Sequence, residues 1–168
     1  TKGARAIIDV ALNEERQWLN PAEAAGVLEC YGIRTAPVSV VAKPDDAGIA
    51  AEAMMALGAP VALKIVSQDI IHKSEVGGVM LNLAGRHAVA DAARKMEQRV
   101  LAARPDAVIE GFAIQSMVPR EGGRELIAGL ADDPLFGPVI VFGRGGTAVE
   151  VIDDKAIGLP PLDMKLAD

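Results

Sequence analysis

A two-lobed α+β fold is what the sequence predicts, and three observations predict it. Between Pro37 and Val118 the apolar periodicity reads β-α-β-β-α-β. From Arg124 onward, short alternating runs separated by turn residues give the pattern of an antiparallel sheet. Hydrophobic residues make up 51% of the chain and aromatic residues only 3%, so the core must be built from Ala, Val, Leu, Ile and Met. Strands and helices do not alternate strictly enough for a doubly wound parallel sheet. A plain ferredoxin-like domain is the competing arrangement for the first half.

Taken in order, residues 4–18 carry Ile7, Ile8, Ala11, Leu12 and Trp18 at helical intervals. Asn20-Pro21-Ala22-Glu23 then starts a second helix: Asn20 can cap, Pro21 suits the first helical position and Glu23 can close a capping box. That helix runs to about Tyr31 and ends at Gly32. Pro37 to Ala42 alternates as a strand, Pro44 to Leu57 is helical up to Gly58, and Pro60 to Val66 is a second strand. Residues 67–77 are polar and end in glycine, as a loop does. Gly78 to Ala84 is a strand, Arg86 to Ala103 a helix and Val108 to Val118 a strand. Pro119 to Gly123 turns into a strand from Arg124 to Ala131. Asp132-Asp133-Pro134 turns again into Pro138 to Phe142, and Gly143 to Gly146 leads to Ala148 to Ile152. These elements divide the chain into a linker helix over 1–19, a first lobe over 20–109 and a second over 110–168. Opening on Thr1, the chain reads as a segment of a longer protein, with the C-terminal part of its fold missing.

Composition excludes some partners. A net charge of −6, with no stripe of Lys or Arg, argues against nucleic acid and against an anionic membrane surface. No apolar run is long enough to span a bilayer, and no secretory segment opens the chain. The single cysteine, Cys30, lies in an apolar-periodic stretch and reads as a buried reduced thiol, which suits the cytoplasm.

Chemistry concentrates between Val61 and Val79. Strand alternation puts Val61, Leu63 and Ile65 on one face and Ala62, Lys64 and Val66 on the other. Lys64 thus stands among small apolar neighbours, where an unpaired ammonium is costly. Either a buried carboxylate answers it, or the phosphate of a bound nucleotide does. In the following loop Gly77 and Gly78 let backbone N–H groups approach an anion, and Lys73 and Ser74 add donors. His72 lies within that loop. A neutral imidazole attacks phosphorus without a separate base, although a lone loop histidine is more often only solvated. His87 has no polar constellation around it and reads as a surface residue. Gly143-Arg144-Gly145-Gly146 fits a turn better than a phosphate cradle, and Asp132, Asp133, Asp153 and Asp154 read as solvated loop ends.

The string Leu63-Lys64-Ile65-Val66-Ser67 through His72-Lys73-Ser74-Glu75-Val76-Gly77-Gly78-Val79 resembles the ATP-grasp domain of ADP-forming acetate–CoA ligases. Gln115 to Val118, Arg124 to Gly129 and Asp133 to Gly143 match the same family, so the resemblance runs from about Asn20 to the end. It implies an ATP-grasp fold that binds ATP or ADP. Lys64 matches a lysine on the nucleotide phosphates, and His72 a histidine that carries a phosphoryl group. Gly77 and Gly78 belong to the flexible phosphate-covering loop. Gln115, Met117 and Val118 match the hinge, where backbone groups of Met117 and Val118 read the adenine edge. Glu125 matches a carboxylate beside the ribose or phosphates. Relatives often carry Glu where this chain has Ser116.

The family holds Mg²⁺ with carboxylate and Asn side chains on later strands, which places the metal ligands beyond residue 168 and leaves this segment alone inactive. The resemblance further implies CoA-binding and ligase modules, in the same protein or a partner subunit, and in some bacterial relatives an attached acetyltransferase module. Two other readings stand beside this enzyme. One is a non-catalytic regulatory ATP-grasp-like module of a multidomain acetyltransferase. The other is an α+β domain that binds no nucleotide.

Overall fold

The computed structural model describes residues 1–56, 58–70, 72–118, 123–145, 155–163 and 165. The chain divides into two compact units, Thr1–Val118 and Pro119–Asp168.

The first unit opens with α1 (Lys2–Asn13) and α2 (Pro21–Glu29). Helix α1 stops five residues short of the predicted Trp18, because Glu15 takes φ 55° and Arg16 turns back to Glu23. The predicted capping box is present: the Asn20 side chain accepts from the Ala22 and Glu23 amides, and Glu23 accepts from the Asn20 amide. The Arg16 guanidinium grips both Glu23 oxygens at 2.7 and 2.8 Å. These bonds hold the Glu23 carboxyl below the ordinary carboxylate range, burial opposing them and the Asn20 amide reinforcing them. Helix α1 is not a separate linker. A Cβ at Gly26 would stand 3.1 Å from Ile7 Cδ1, so α1 and α2 pack closely within the first unit. Cys30, a free thiol, is half-buried rather than buried, with its sulfur against Gly3 of α1.

Next come β1 (Val38–Val41), α3 (Pro44–Met55), β2 (Val61–Val66), β3 (Val79–Leu83), α4 (Arg86–Ala103) and β4 (Gly111–Ser116). The predicted β-α-β-β-α-β order is observed. The four strands form an antiparallel sheet in the order β1-β4-β2-β3. A ferredoxin-like sheet would set β1 and β3 side by side at its centre; here they are the two edges and β2–β4 is the central pair. The boundary expected at 109/110 falls instead after Val118, because β4 is hydrogen-bonded to a strand on either side.

One face of the central pair makes the core. Val61, Leu63 and Ile65 of β2 and Phe112 and Ile114 of β4 pack against Ala47 and Ala51 of α3 and Val89, Ala93, Met96 and Val100 of α4. Small helical residues let the two helices approach closely. At Gly48 a Cβ would lie 2.6 Å from the Arg86 carbonyl oxygen, so only glycine fits that crossing. Asn82, at φ 58°, takes up the register shift where β3 leaves its regular pairing with β2.

The second unit holds β5 (Leu126–Asp133), β6 (Gly137–Arg144) and β7 (Lys155–Gly158), an antiparallel sheet in sequence order. Asp132 and Asp133 belong to β5, not to the turn. The turn is Pro134–Phe136, and the Asp133 side chain accepts from the Leu135 and Phe136 amides. Gly143 and Arg144 likewise continue β6 rather than turning the chain. The strand expected over 148–152 lies outside the described residues, and β7 was not foreseen. No helix among the described residues is long and apolar enough to cross a membrane.

Candidate functional site

The core face of β2 fixes where Lys64 goes. With Leu63 and Ile65 buried under α3 and α4, Lys64 must project from the opposite side of the sheet, beside Ala113 of β4. Two residues along β4, on the same face, Gln115 reaches it: the Lys64 Nζ donates to Gln115 Oε1 at 2.8 Å. Among the described residues no carboxylate approaches this half-buried ammonium, so only one of its three N–H donors is engaged. A neutral amide stabilises a cation less than a carboxylate does and leaves its charge uncancelled. Among the described residues, the buried ion pair that sequence alone allowed is therefore not what holds Lys64.

The hinge residues sit at the end of β4. The Ser116 amide donates to the Pro37 carbonyl, and the Met117 amide to the Pro60 carbonyl at 2.9 Å. Met117 therefore offers a ligand its carbonyl and not its N–H. The Val118 amide has no partner among the described residues. The Ser116 hydroxyl is buried with no hydrogen-bond partner among the described residues, an uncommon state that leaves both a donor and an acceptor available.

The β2–β3 connection is more constrained than its polar composition predicts. Ile70 is 3% exposed and part of the core, and Val76 packs against that core. Gly77 and Gly78 do not present free amides. Gly77 N–H donates to the Ser74 carbonyl and Gly78 N–H to the Lys73 carbonyl, so in this conformation neither can cradle an anion. Their glycine character has local causes. Gly77 has φ 69° and lies under the Arg99 side chain of α4, while a Cβ at Gly78 would stand 2.7 Å from Ile65 Cγ2. The Lys73 ammonium folds back to the Ile70 carbonyl at 3.3 Å. By contrast, His72 and Ser74 are exposed, and their side chains have no hydrogen-bond partner among the described residues.

The structure therefore brings Lys64 and Gln115 into contact and sets Met117 and Val118 at the end of the same strand. It does not join His72 to Lys64 through any contact among the described residues. Glu125 lies in the second unit, where its carbonyl accepts from the Gly145 amide, along a concavity of about 1060 Å³ shared with Arg124, Arg144 and Lys155. A second cleft, of about 300 Å³, was not read from the sequence. It lies at the foot of the β2–β3 connection, between Val66, Ser67, Ile70 and Lys73 on one side and Arg16 and Trp18 on the other. Asp69 was also missed. Its carboxylate accepts from the Val108 amide at 2.8 Å, and its own amide donates to the Ser67 hydroxyl. The one local signal was an aspartate two residues after a serine. Val108 is too distant in sequence for any pattern to link them. Among the described residues no group of three His, Cys, Asp or Glu side chains could hold a metal ion.

Comparison with known proteins places this geometry. The ATP-grasp domain family matches residues 10–168. Acetate–CoA ligase [ADP-forming] I of Archaeoglobus fulgidus is 44% identical over 146 residues, which cover 87% of this chain and 20% of that protein. The beta subunit of acetate–CoA ligase [ADP-forming] I of Pyrococcus furiosus is 38% identical over 159 residues, covering 95% of this chain and 66% of the subunit. The chain thus spans less than two thirds of either relative. Among solved structures, acetyl-coenzyme A synthetase 1 of Ca. Korarchaeum cryptofilum, in complex with coenzyme A and Ca-AMPCP, superimposes with a TM-score of 0.86 at 36% identity. That match covers 98% of this chain and 69% of the other. The same enzyme has been solved with a phosphorylated phosphohistidine segment, with a TM-score of 0.80. Fold and relatives agree: the chain belongs to the ATP-grasp domain family, among the relatives of ADP-forming acetate–CoA ligases.

Proposed function

We propose that this domain is the nucleotide-binding part of an ADP-forming acyl-CoA synthetase, in which His72 carries a phosphoryl group to and from ADP. The observation that carries the reading is Lys64: a half-buried mid-strand ammonium whose one partner among the described residues is a neutral amide, which leaves donors for phosphate oxygens. Gln115, Met117 and Val118 lie along the strand end where a base would be read. Ser74, Gly77 and Gly78 would cover the phosphates only after the loop exchanges its internal hydrogen bonds for ligand contacts. Glu125 keeps the role that the family resemblance implies, a carboxylate beside the ribose or phosphates.

In the direction of ATP consumption, a neutral His72 nitrogen attacks the γ-phosphorus. The bond from that phosphorus to the bridging oxygen breaks and ADP leaves with the electron pair. The reverse step makes ATP from phosphohistidine and ADP. Coupled to CoA-binding and ligase modules, the sum is acyl-CoA, ADP and phosphate interconverting with carboxylic acid, CoA and ATP. Magnesium would neutralise charge on the nucleotide. As the family resemblance implies, its protein ligands would lie past residue 168. A cytoplasmic setting supplies both ATP and CoA.

The test is to incubate the intact protein with radiolabelled ATP, and separately with acetyl-CoA and labelled phosphate, then map the label. Acid-labile label at His72, absent from His72→Gln, is the expected result. An unlabelled wild-type protein that still binds ATP would instead favour the regulatory module. Absence of saturable ATP binding would favour a domain with no nucleotide at all.

A further inference from the structure

His72 lies two residues beyond a firmly held point of its connection. Ile70 is locked in the core. One residue earlier, the Asp69 carboxylate accepts from the Val108 amide across 39 positions of sequence. Val108 is itself held in place, because Ala107 is buried, Ile109 packs on the core and the Glu110 amide donates to the Val66 carbonyl at 2.9 Å. On the far side, the chain is pinned again where Gly77 lies under Arg99 and Gly78 meets Ile65. Between these fixed points His72, Ser74 and Glu75 are exposed. The part left unpinned is therefore the short span from His72 to Glu75, not the whole of residues 67–77.

We infer that Asp69 is a positioning residue for His72, its bond to the Val108 amide setting the point about which the imidazole turns. This rests on the reading that His72 carries the phosphoryl group. The chemistry asked of Asp69 is only acceptance of a hydrogen bond. An asparagine oxygen can accept equally, whereas alanine cannot. The role predicts a defect chiefly in the rate at which His72 reaches phosphorus; the main grip on the nucleotide, Lys64 and Gln115, lies on β2 and β4, outside the span.

The experiment is single-turnover labelling of His72 in the intact protein, with the nucleotide KM measured alongside, for wild type, Asp69→Ala and Asp69→Asn. Asp69→Ala should slow labelling about fivefold, the factor one net hydrogen bond supplies, with KM unchanged, and Asp69→Asn should restore the rate. Should Asp69→Ala fail to fold, Val108→Pro deletes the donor instead and carries the same test. Equal rates in wild type and Asp69→Ala, equal loss in the alanine and asparagine variants, or a raised KM at unchanged rate would each overturn the clamp. If wild type labels at His72 and Asp69→Ala labels as fast, only the clamp falls. If wild type takes no label, the carrier reading falls and the clamp with it.

Discussion

Two connections in the first unit face the same 300 Å³ cleft and are built on opposite lines. Residues 14–20 close upon themselves: Arg16 answers Glu14 and Glu23, Glu23 answers the Asn20 amide, and Asn20 answers the start of α2. In the β2–β3 connection the ends are held, by Asp69 and Ile70 and then by Gly77 and Gly78, while His72 and Ser74 point outward with nothing attached among the described residues. A connection that satisfies its own polar groups serves stability. One that anchors its ends and leaves reactive groups bare keeps them for a ligand.

The contrast can be broken by substitutions that separate stability from binding. The largest effect is expected at Lys64, the strand residue that leads into the second connection. Lys64→Met should weaken ATP binding to the intact protein by about 1.5–3 kcal/mol, roughly ten- to a hundredfold, the range for hydrogen bonds to charged groups. Its urea midpoint should stay level or rise, since an apolar side chain suits that strand. Calorimetric titration beside a denaturation curve checks both. A lysine that mattered only for folding would give the reverse pattern.

In the first connection the pattern should invert. Asn20→Ala removes the α2 cap and should cost about 1 kcal/mol of stability, with ATP affinity unaltered, as urea unfolding and the same titration would show. The smallest effect sharpens the comparison through pH. Because the Glu23 carboxyl is held below its ordinary range by Arg16, its contribution is complete above the unfolded value of 4.5 and drains away as pH falls through the lower, folded value. Wild type should therefore lose its advantage over Glu23→Gln on acidification through that window. A difference in melting temperature that stays constant from pH 7 to the acid limb would remove Glu23 from the account.

What the sequence revealed follows from range. The capping box at Asn20 and Glu23 is a code written across three residues, and the structure reproduces it. The span of α4 matches its apolar periodicity from Arg86 to Ala103. Lys64 was legible because alternation along one strand separates its face from that of Leu63 and Ile65. What the sequence did not reveal lies where distant residues decide. Gly77 and Gly78 were legible as a glycine-ended loop, but not that Arg99 and Ile65 also leave no room for side chains there. Backbone groups of Met117 and Val118 were expected to read a base, yet the Met117 amide already donates a hydrogen bond to the Pro60 carbonyl just before β2. Arg16 left its helix for a carboxylate seven residues on, and Asp69 found a donor that no local pattern could name.

Trp18 is the only tryptophan and is 63% exposed at the rim of the cleft below the His72 segment. Since the interior holds no indole, intrinsic emission from this domain should change little when the core melts. It becomes instead an optical gauge of events at the cleft, where quenching or a blue shift on adding nucleotide would register movement next to the loop without any introduced dye.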